Sequence, residues 1–139
     1  MDAVTDRNQR KGLTYVFIET EGEEKRILGF ITMRTSSVIK QYENRIIGDA
    51  ALEITELAVD KDYERQGVGK LLLALAVTVA NGINSTLASV RYLALCADKQ
   101  AVPFYERFGF KELTEYGDIP REGWNSDCVP MTLRLPDTN

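Results

Sequence analysis

The segment YERQGVGKLLL, residues 63–73, carries two glycines one residue apart, directly before a leucine-rich stretch that predicts a buried helix. Glycine is a poor helix former, so a helix that begins on Gly67 and Gly69 needs a physical reason. The N-terminus of a helix presents unpaired N–H groups and a partial positive charge, and glycines there let a phosphate approach the backbone without meeting a Cβ. A glycine turn that lets the helix pack closely on a sheet is the alternative. The spacing therefore predicts either a pyrophosphate site or tight packing.

Two common phosphate-binding motifs do not fit this segment. The Walker A pattern needs a glycine where the chain has Glu64, and a serine or threonine where it has Leu71. The dinucleotide pattern G-x-G-x-x-G needs a third glycine where the chain has Leu72. Both classes of nucleotide site are therefore excluded here.

The residues available for acid–base chemistry are limited, because the 139 residues include no histidine. The commonest general base and the commonest metal ligand are thus absent, and no metal is expected. Glu53 and Glu56 lie in a strand-like stretch, and a carboxylate in an apolar cleft is suited to removing a proton from an ammonium group. Strict alternation puts the two on opposite faces, so at most one would serve unless a bulge intervenes. Each is equally compatible with an ordinary solvated strand residue.

Composition bounds the class of protein. A net charge of −4 and a pI of about 4.9 argue against a nucleic-acid partner and are compatible with a cationic substrate, or simply with solubility. No apolar run approaches the roughly 20 residues that span a bilayer, and the polar N-terminus has no apolar signal core, so we expect a cytoplasmic protein without a membrane partner. Cys96 and Cys128 are expected to be small buried apolar residues rather than a disulfide or a metal pair.

The elements that must position these residues follow from periodicity and turn signals. We expect a polar tail over 1–12, a single domain over 13–135 and a short tail over 136–139. Within the domain, residues 36–50 could form either a short helix or a mobile loop. Strands are predicted over 13–20, 26–35, 51–59, 90–97, 109–116 and 128–135, and helices over 67–83 and 99–108. This order predicts an α/β fold: a mixed, mostly antiparallel central sheet with a right-handed β-α-β crossover.

A third phosphate-binding pattern does fit the glycines. RQGVGK resembles the [Q/R]-x-x-G-x-[G/A] signature of the GNAT superfamily of acetyl-CoA-dependent N-acetyltransferases, although its first position is Glu64, with Arg65 and Gln66 beside it. Downstream, ADKQAVPFYERFGF resembles the second hallmark, a tyrosine-bearing helix followed by GF, with Asp98 where members often have asparagine. The resemblance covers about residues 13–135 and lacks the family's N-terminal strand and first two helices.

The resemblance implies acetyl-CoA as co-substrate and assigns roles by position. Leu57 and Val59 would bind the pantetheine and the acetyl carbonyl through their main chain, and Tyr105 would give a proton to the departing thiolate. Glu53, eleven positions before Glu64, stands where some members place a catalytic glutamate. The pyrophosphate would be held by backbone N–H groups of the helix start, with Arg65 and Asp98 as further cofactor-binding candidates; the N–H groups are those of Gln66, Gly67, Val68, Gly69 and Lys70.

The expected activity is acetyl transfer to a primary amine by direct attack, with a small cationic amine or a peptide amine as acceptor. A toxin-type acetyltransferase acting on aminoacyl-tRNA is one alternative, and a CoA-binding regulatory module without turnover is another. Residues 36–50 and the 114–128 loop, with Tyr116 and Trp124, are the candidate acceptor rim. Because two family helices are missing, apolar sheet surface should remain uncovered, and we predict a homodimer unless 36–50 folds back as a helix.

Overall fold

A computed structural model describes residues 2–5, 12–113 and 127–137. These residues form one mixed sheet in the order β1-β2-β3-β4-β5-β7-β6, in which only the β4–β5 pair is parallel. The strands are β1 Asp2–Thr5, β2 Leu13–Glu21, β3 Glu24–Tyr42, β4 Arg45–Val59, β5 Tyr92–Asp98, β6 Lys111–Glu112 and β7 Cys128–Arg134. The predicted fold class, a mixed and mostly antiparallel sheet, is confirmed.

Two helices connect the strands around the parallel pair. Helix α1, Val68–Thr86, joins β4 to β5, and α2, Val102–Phe108, follows β5 with Pro103 in its first turn, where its missing N–H costs nothing. Short 3₁₀ turns precede each helix, at Lys61–Tyr63 and Lys99–Ala101. Both predicted helices are therefore present.

The predicted helix or mobile loop over 36–50 is wrong. These residues complete a long antiparallel hairpin, in which β3 and β4 pair from Gly29↔Val59 to Tyr42↔Arg45. The chain reverses at Glu43, whose φ of 44° is in the left-handed region. Strands β3 and β4 are joined by a two-residue turn and stabilise each other through backbone hydrogen bonds. The apolar periodicity of the sequence does not reveal such hydrogen bonds, so the strands were not predicted here.

The chain ends also differ from the predictions. Residues 2–5, predicted as part of a polar tail, form β1 and pair with β2 from Asp2↔Val16 to Thr5↔Leu13. The predicted fifth strand, 109–116, is reduced to β6 at Lys111–Glu112, and residues 114–116 lie outside the described part.

One face of the sheet carries both helices and the main core. Helix α1 buries Val68, Leu72, Leu73, Ala76 and Ala80. They pack in one cluster with sheet residues that include Ile31, Leu93, Leu95 and Met131. By length and composition α1 could cross a bilayer, but its buried stripe is what the core helix of an α/β domain requires. A smaller cluster of Val38, Ala51, Tyr92 and Ala94 lies on the opposite face.

The expectation for the cysteines is wrong, because Cys96 and Cys128 form a disulfide, with their Cα atoms 5.4 Å apart. The strands β5 and β7 are neighbours, and Asp98 is paired with Cys128 in their register. The cysteines are 32 positions apart along the chain, so it is the antiparallel pairing of β5 and β7 that brings them within bonding distance.

Candidate active site

The parallel strands at the centre of the sheet separate and leave a cleft. Strands β4 and β5 pair only at Ala51↔Tyr92, Leu52↔Leu93 and Glu53↔Ala94, and β4 then continues to Val59 without a described partner on that side. The cleft, about 400 Å³ in volume, is lined by Phe30, Ile54, Thr55, Glu56, Leu57, Ala58, Leu95, Cys96, Ala97, Asp98, Ala101 and Tyr105. A free backbone edge beside a cleft can bind an extended, amide-containing arm.

Among the residues predicted to contact a cofactor, Leu57 and Asp98 line this cleft, whereas Val59 is not among its lining residues. Val59 lies at the end of β4, opposite Gly29 on β3. The cleft therefore extends along β4 from Ile54 to Ala58, toward the turn that leads into α1.

A β-bulge determines how the two candidate glutamates are oriented. Thr32 on β3 faces Glu56, and the next residue, Met33, faces Ile54, so Thr55 is the extra residue on β4. Thr55 donates from Oγ1 to the Thr32 carbonyl at 3.3 Å. Thr32 and Arg34 are two positions apart on β3, so their side chains share one face of the sheet. Thr32 is paired with Glu56 and Arg34 with Glu53, and both glutamates therefore lie on that face, which is opposite the helices. The prediction that the two glutamates lie on opposite faces is wrong. It assumed strict alternation along β4, and the bulge at Thr55 breaks that alternation.

Glu53 and Glu56 nevertheless have different environments. Glu53 is 1% exposed, and its carboxylate accepts hydrogen bonds from Nε of Arg34 at 2.8 Å and from Nη2 at 3.5 Å. It is not among the cleft-lining residues, whereas Glu56 is. The structure thus places Glu56 beside the cleft and commits Glu53 to a buried ion pair.

The turn before α1 has the backbone of an anion site. Arg65 and Gly67 both adopt left-handed conformations, with φ of 65° and 84°. The first hydrogen bond of α1 runs from Leu71 N–H to the Gly67 carbonyl at 3.0 Å, so the N–H groups of residues 68–70 precede it. Such alternation of backbone conformation makes a concave set of N–H donors that suits phosphate.

The two glycines of the turn serve different purposes. A Cβ on Gly67 would meet no atom within 4 Å, so open space lies in front of this backbone. Gly69 instead packs against the ring of Phe104 on α2. The side chains of Arg65 and Lys70 are exposed on either side, where they would attract an anion.

Tyr105 lies between the aromatic core and the cleft. Its ring packs edge-on against Phe104 and Phe110, with centroids 5.1 and 5.6 Å away, and the residue is 8% exposed. Burial, with a smaller contribution from the Asp98 charge, raises the pKa of Tyr105 to about 12. The phenol therefore stays protonated at neutral pH, so it can donate a hydrogen bond or a proton.

The structure thus gathers Glu56, Leu57, Asp98 and Tyr105 around one cleft and sets the glycine turn at the start of the adjoining helix. Three further features were not predicted: the position of the bulge at Thr55, the Arg34 partner of Glu53, and Cys96 in the cleft wall. Only the register of the β3–β4 hairpin could have indicated Arg34.

The candidate acceptor residues Tyr116 and Trp124 lie outside the described residues. Within residues 2–5, 12–113 and 127–137, no group of three potential metal-ligating side chains was found.

Comparison with protein families gives a match over most of the chain. A family model described as an acetyltransferase (GNAT) domain matches residues 10–112. This range includes the hairpin, the glycine turn, the cleft and Tyr105.

Solved structures share the fold at low identity. A KacTA–DNA complex superposes with a TM-score of 0.63 at 22% identity, over 88% of this chain and 67% of that one. A mutant AtaT toxin bound to the C-terminus of the antitoxin AtaR and acetyl-CoA gives 0.61 at 20%, again over 88% and 67%. Arabidopsis thaliana NAA60 with a bisubstrate analogue gives 0.64 at 16%, over 89% and 76%. The chain thus spans about two thirds to three quarters of the length of these neighbours.

Proposed function

Because the chain belongs to the family of GNAT-domain acetyltransferases, we propose that it transfers the acetyl group of acetyl-CoA to a primary amine by direct attack. The observation that carries the proposal is the cleft between β4 and β5, which has Tyr105 in its wall and an open glycine turn at the start of the adjoining helix. A pantetheine arm needs such a free strand edge, and a pyrophosphate needs such a turn.

Acetyl-CoA would be held mainly by backbone groups. In this proposal the main chain of Leu57 and Val59 pairs with the pantetheine, and the N–H groups of residues 66–70 bind the pyrophosphate. The exposed Arg65 and Lys70 add positive charge, which offsets the phosphates in a chain whose net charge is −4. AtaT, a neighbour that shares this fold, was solved with acetyl-CoA bound, which supports this choice of ligand.

The chemistry needs a neutral amine, a stabilised oxyanion and a proton for the departing thiolate. We assign the proton to Tyr105, whose hydroxyl stays protonated because its pKa is about 12. We assign removal of the ammonium proton to Glu56, directly or through water, because Glu56 lines the cleft whereas Glu53 is bound to Arg34. That AtaT and KacT were both solved as tyrosine-to-phenylalanine mutants is consistent with a tyrosine of functional interest in this fold.

A small cationic amine or a peptide amine is the acceptor we favour. Glu56 lines the cleft on the sheet face that carries no described helix, and the overall charge is negative, which together favour a cation.

A toxin-type activity on aminoacyl-tRNA is the second candidate, and the observation that favours it is the set of neighbours named as toxins. An RNA substrate would require binding that weakens steeply with salt, since phosphate contacts dominate affinity. The acidic balance of this chain works against such binding. Measurement of tRNA binding between low and moderate salt separates the two candidates.

The decisive experiment is turnover with acetyl-CoA and a panel of small amines, N-terminal peptides and aminoacyl-tRNA, followed by release of free CoA thiol. Turnover with any member supports the proposal, and the preferred member identifies the acceptor class. If acetyl-CoA raises the melting temperature but no acceptor in a broad panel is modified, a CoA-binding regulatory module becomes the better description.

We also propose a cytoplasmic location, which fluorescence microscopy of a tagged full-length chain would test.

A further inference from the structure

The disulfide forms part of the wall of the cleft. Cys96 is a lining residue, together with Asp98 and Tyr105, whereas Cys128 is not. Side chains alternate along β5, so Cys96 shares the face of Ala94, opposite the face on which Leu95 packs beneath the helices. Glu56 lies on this same face, across the cleft.

We propose that the Cys96–Cys128 bond is a thiol-exchange site for free coenzyme A, the thiol product of acetyl transfer. The inference rests on the proposed function, since it takes the coenzyme to be bound in this cleft. The coenzyme thiol loses its proton to solvent, and the thiolate attacks Sγ of Cys96. The Cys96–Cys128 bond breaks, and Cys128 leaves as a thiolate that takes up a proton. The product is a coenzyme A–Cys96 mixed disulfide with a free thiol at Cys128, and no external oxidant is needed.

Accessibility and position both favour exchange at this bond. Cys96 and Cys128 are half-buried, so a bound thiol can reach the sulfur that faces the cleft. The bond lies where the β5–β7 pairing ends, at Asp98↔Cys128, so its opening leaves the pairs from Ala97↔Val129 to Tyr92↔Arg134 to hold the strands. The proposed cytoplasmic location agrees with a bond that exchanges, because disulfides in that compartment are mostly transient.

The consequence is a link between the free thiol product and the state of the enzyme. A coenzyme attached at Cys96 would occupy the cleft and block entry of acetyl-CoA until the Cys128 thiol, or an added thiol, displaced it and released free coenzyme A. The expected behaviour is therefore reversible inactivation by coenzyme A under oxidising conditions, with recovery on addition of a dithiol.

The test uses the full-length oxidised protein, incubated with coenzyme A or with glutathione at equal concentration, then quenched with an alkylating agent. Intact mass and peptide mapping should show one coenzyme A on Cys96 and one alkyl group on Cys128. Because the bound thiol is held beside the sulfur, its adduct should form about tenfold or more faster than the glutathione adduct. Excess desulfo-coenzyme A, which fills the cleft without a thiol, should remove this advantage.

Equal rates for the two thiols, attachment at Cys128, or no adduct would overturn the inference. If acetyl-CoA still raises the melting temperature in that case, the proposed function survives; if acetyl-CoA does not bind, both fail. Two variants give an independent readout with coenzyme A disulfide. Cys128→Ser keeps the thiol in the cleft wall and should be modified about tenfold faster than its matched control Cys96→Ser.

Discussion

A side-chain carbon on Gly69 would lie 3.1 Å from Cζ of Phe104. This is closer than ordinary carbon contacts, so Gly69 lets the ring of α2 rest on the first turn of α1. The same helix carries Tyr105, and the contact therefore ties the position of the proposed acid to the start of the helix that would bind the pyrophosphate. Gly67, two residues earlier, faces open space instead.

Gly67→Val should abolish the increase in melting temperature that acetyl-CoA produces, because the new side chain would occupy the place of the phosphate. The variant should also lose about 1–2 kcal/mol of stability, since its φ of 84° disfavours residues with a Cβ. Gly22→Val is the matched control: Gly22 has a φ of 64° and open surroundings but lies in the β2–β3 turn. It should lose stability and keep the response to acetyl-CoA. A full response in Gly67→Val would show that this turn does not bind the coenzyme.

Tyr105→Phe should lower turnover roughly 10- to 1000-fold, the contribution of one general acid, while acetyl-CoA binding changes little. Phenylalanine keeps the ring contacts with Phe104 and Phe110, so the fold should persist. Tyr92→Phe is the control, because Tyr92 is also 8% exposed but lies in the cluster on the opposite face. Steady-state kinetics with a saturating acceptor would measure both. An unchanged rate in Tyr105→Phe would assign thiolate protonation to water.

Alkaline stability should depend on Tyr105. Its pKa is raised from 10.0 to about 12 on folding, so the folded chain holds the phenolic proton more tightly than the unfolded chain does. The associated stability is present in full below pH 10 and is lost as the pH rises toward 12, up to about 3 kcal/mol. Urea unfolding at pH 9 and 11 should therefore show a smaller loss in Tyr105→Phe than in the wild type. Parallel losses in the two proteins would contradict the assigned shift.

Substitutions of Glu53 and Glu56 should have different effects on turnover and on stability. Glu56→Gln should lower turnover by roughly 100-fold or more with little change in stability, as expected for a general base. Glu53→Ala should instead cost on the order of 3 kcal/mol, because it removes the partner of Arg34 from a largely buried ion pair. Kinetics and urea unfolding of both variants distinguish these roles. Lost turnover in Glu53→Ala without lost stability would move the base to Glu53.

A homodimer remains our prediction for the oligomeric state. Residues 36–50 do not form a helix that packs on the sheet, because they extend the sheet as a hairpin. Ile46 in this hairpin is 70% exposed, which leaves apolar surface for a second chain to cover. Light scattering at micromolar concentration should give the mass of two chains, and Ile46→Lys should reduce it. Leu87→Lys, at an 81% exposed position after α1, is the control and should not. A monomeric mass for the wild type would contradict the dimer.

The sequence by itself determined the order of the elements from β2 onward and the location of the glycine turn. Alternating β-branched residues predicted the strands, the leucines after Gly69 predicted α1, and Pro103 marked the first turn of α2. These are local properties: side-chain period, helix starts and turn residues act within a few positions along the chain. The resemblance of two short motifs to the acetyltransferase family was enough to single out Gly67, Gly69 and Tyr105 as candidate site residues.

Tertiary structure alone decided the relations between distant residues. The bulge at Thr55 put Glu53 and Glu56 on one face, and the hairpin register paired Glu53 with Arg34. The pairing of β5 with β7 brought Cys96 to Cys128 across 32 positions. Strand register and bulges arise from hydrogen bonding between strands, and a shift of one residue reverses every side chain's face. No local pattern in the chain records that choice, which is why the environments of both glutamates and the pairing of both cysteines emerged only from the fold.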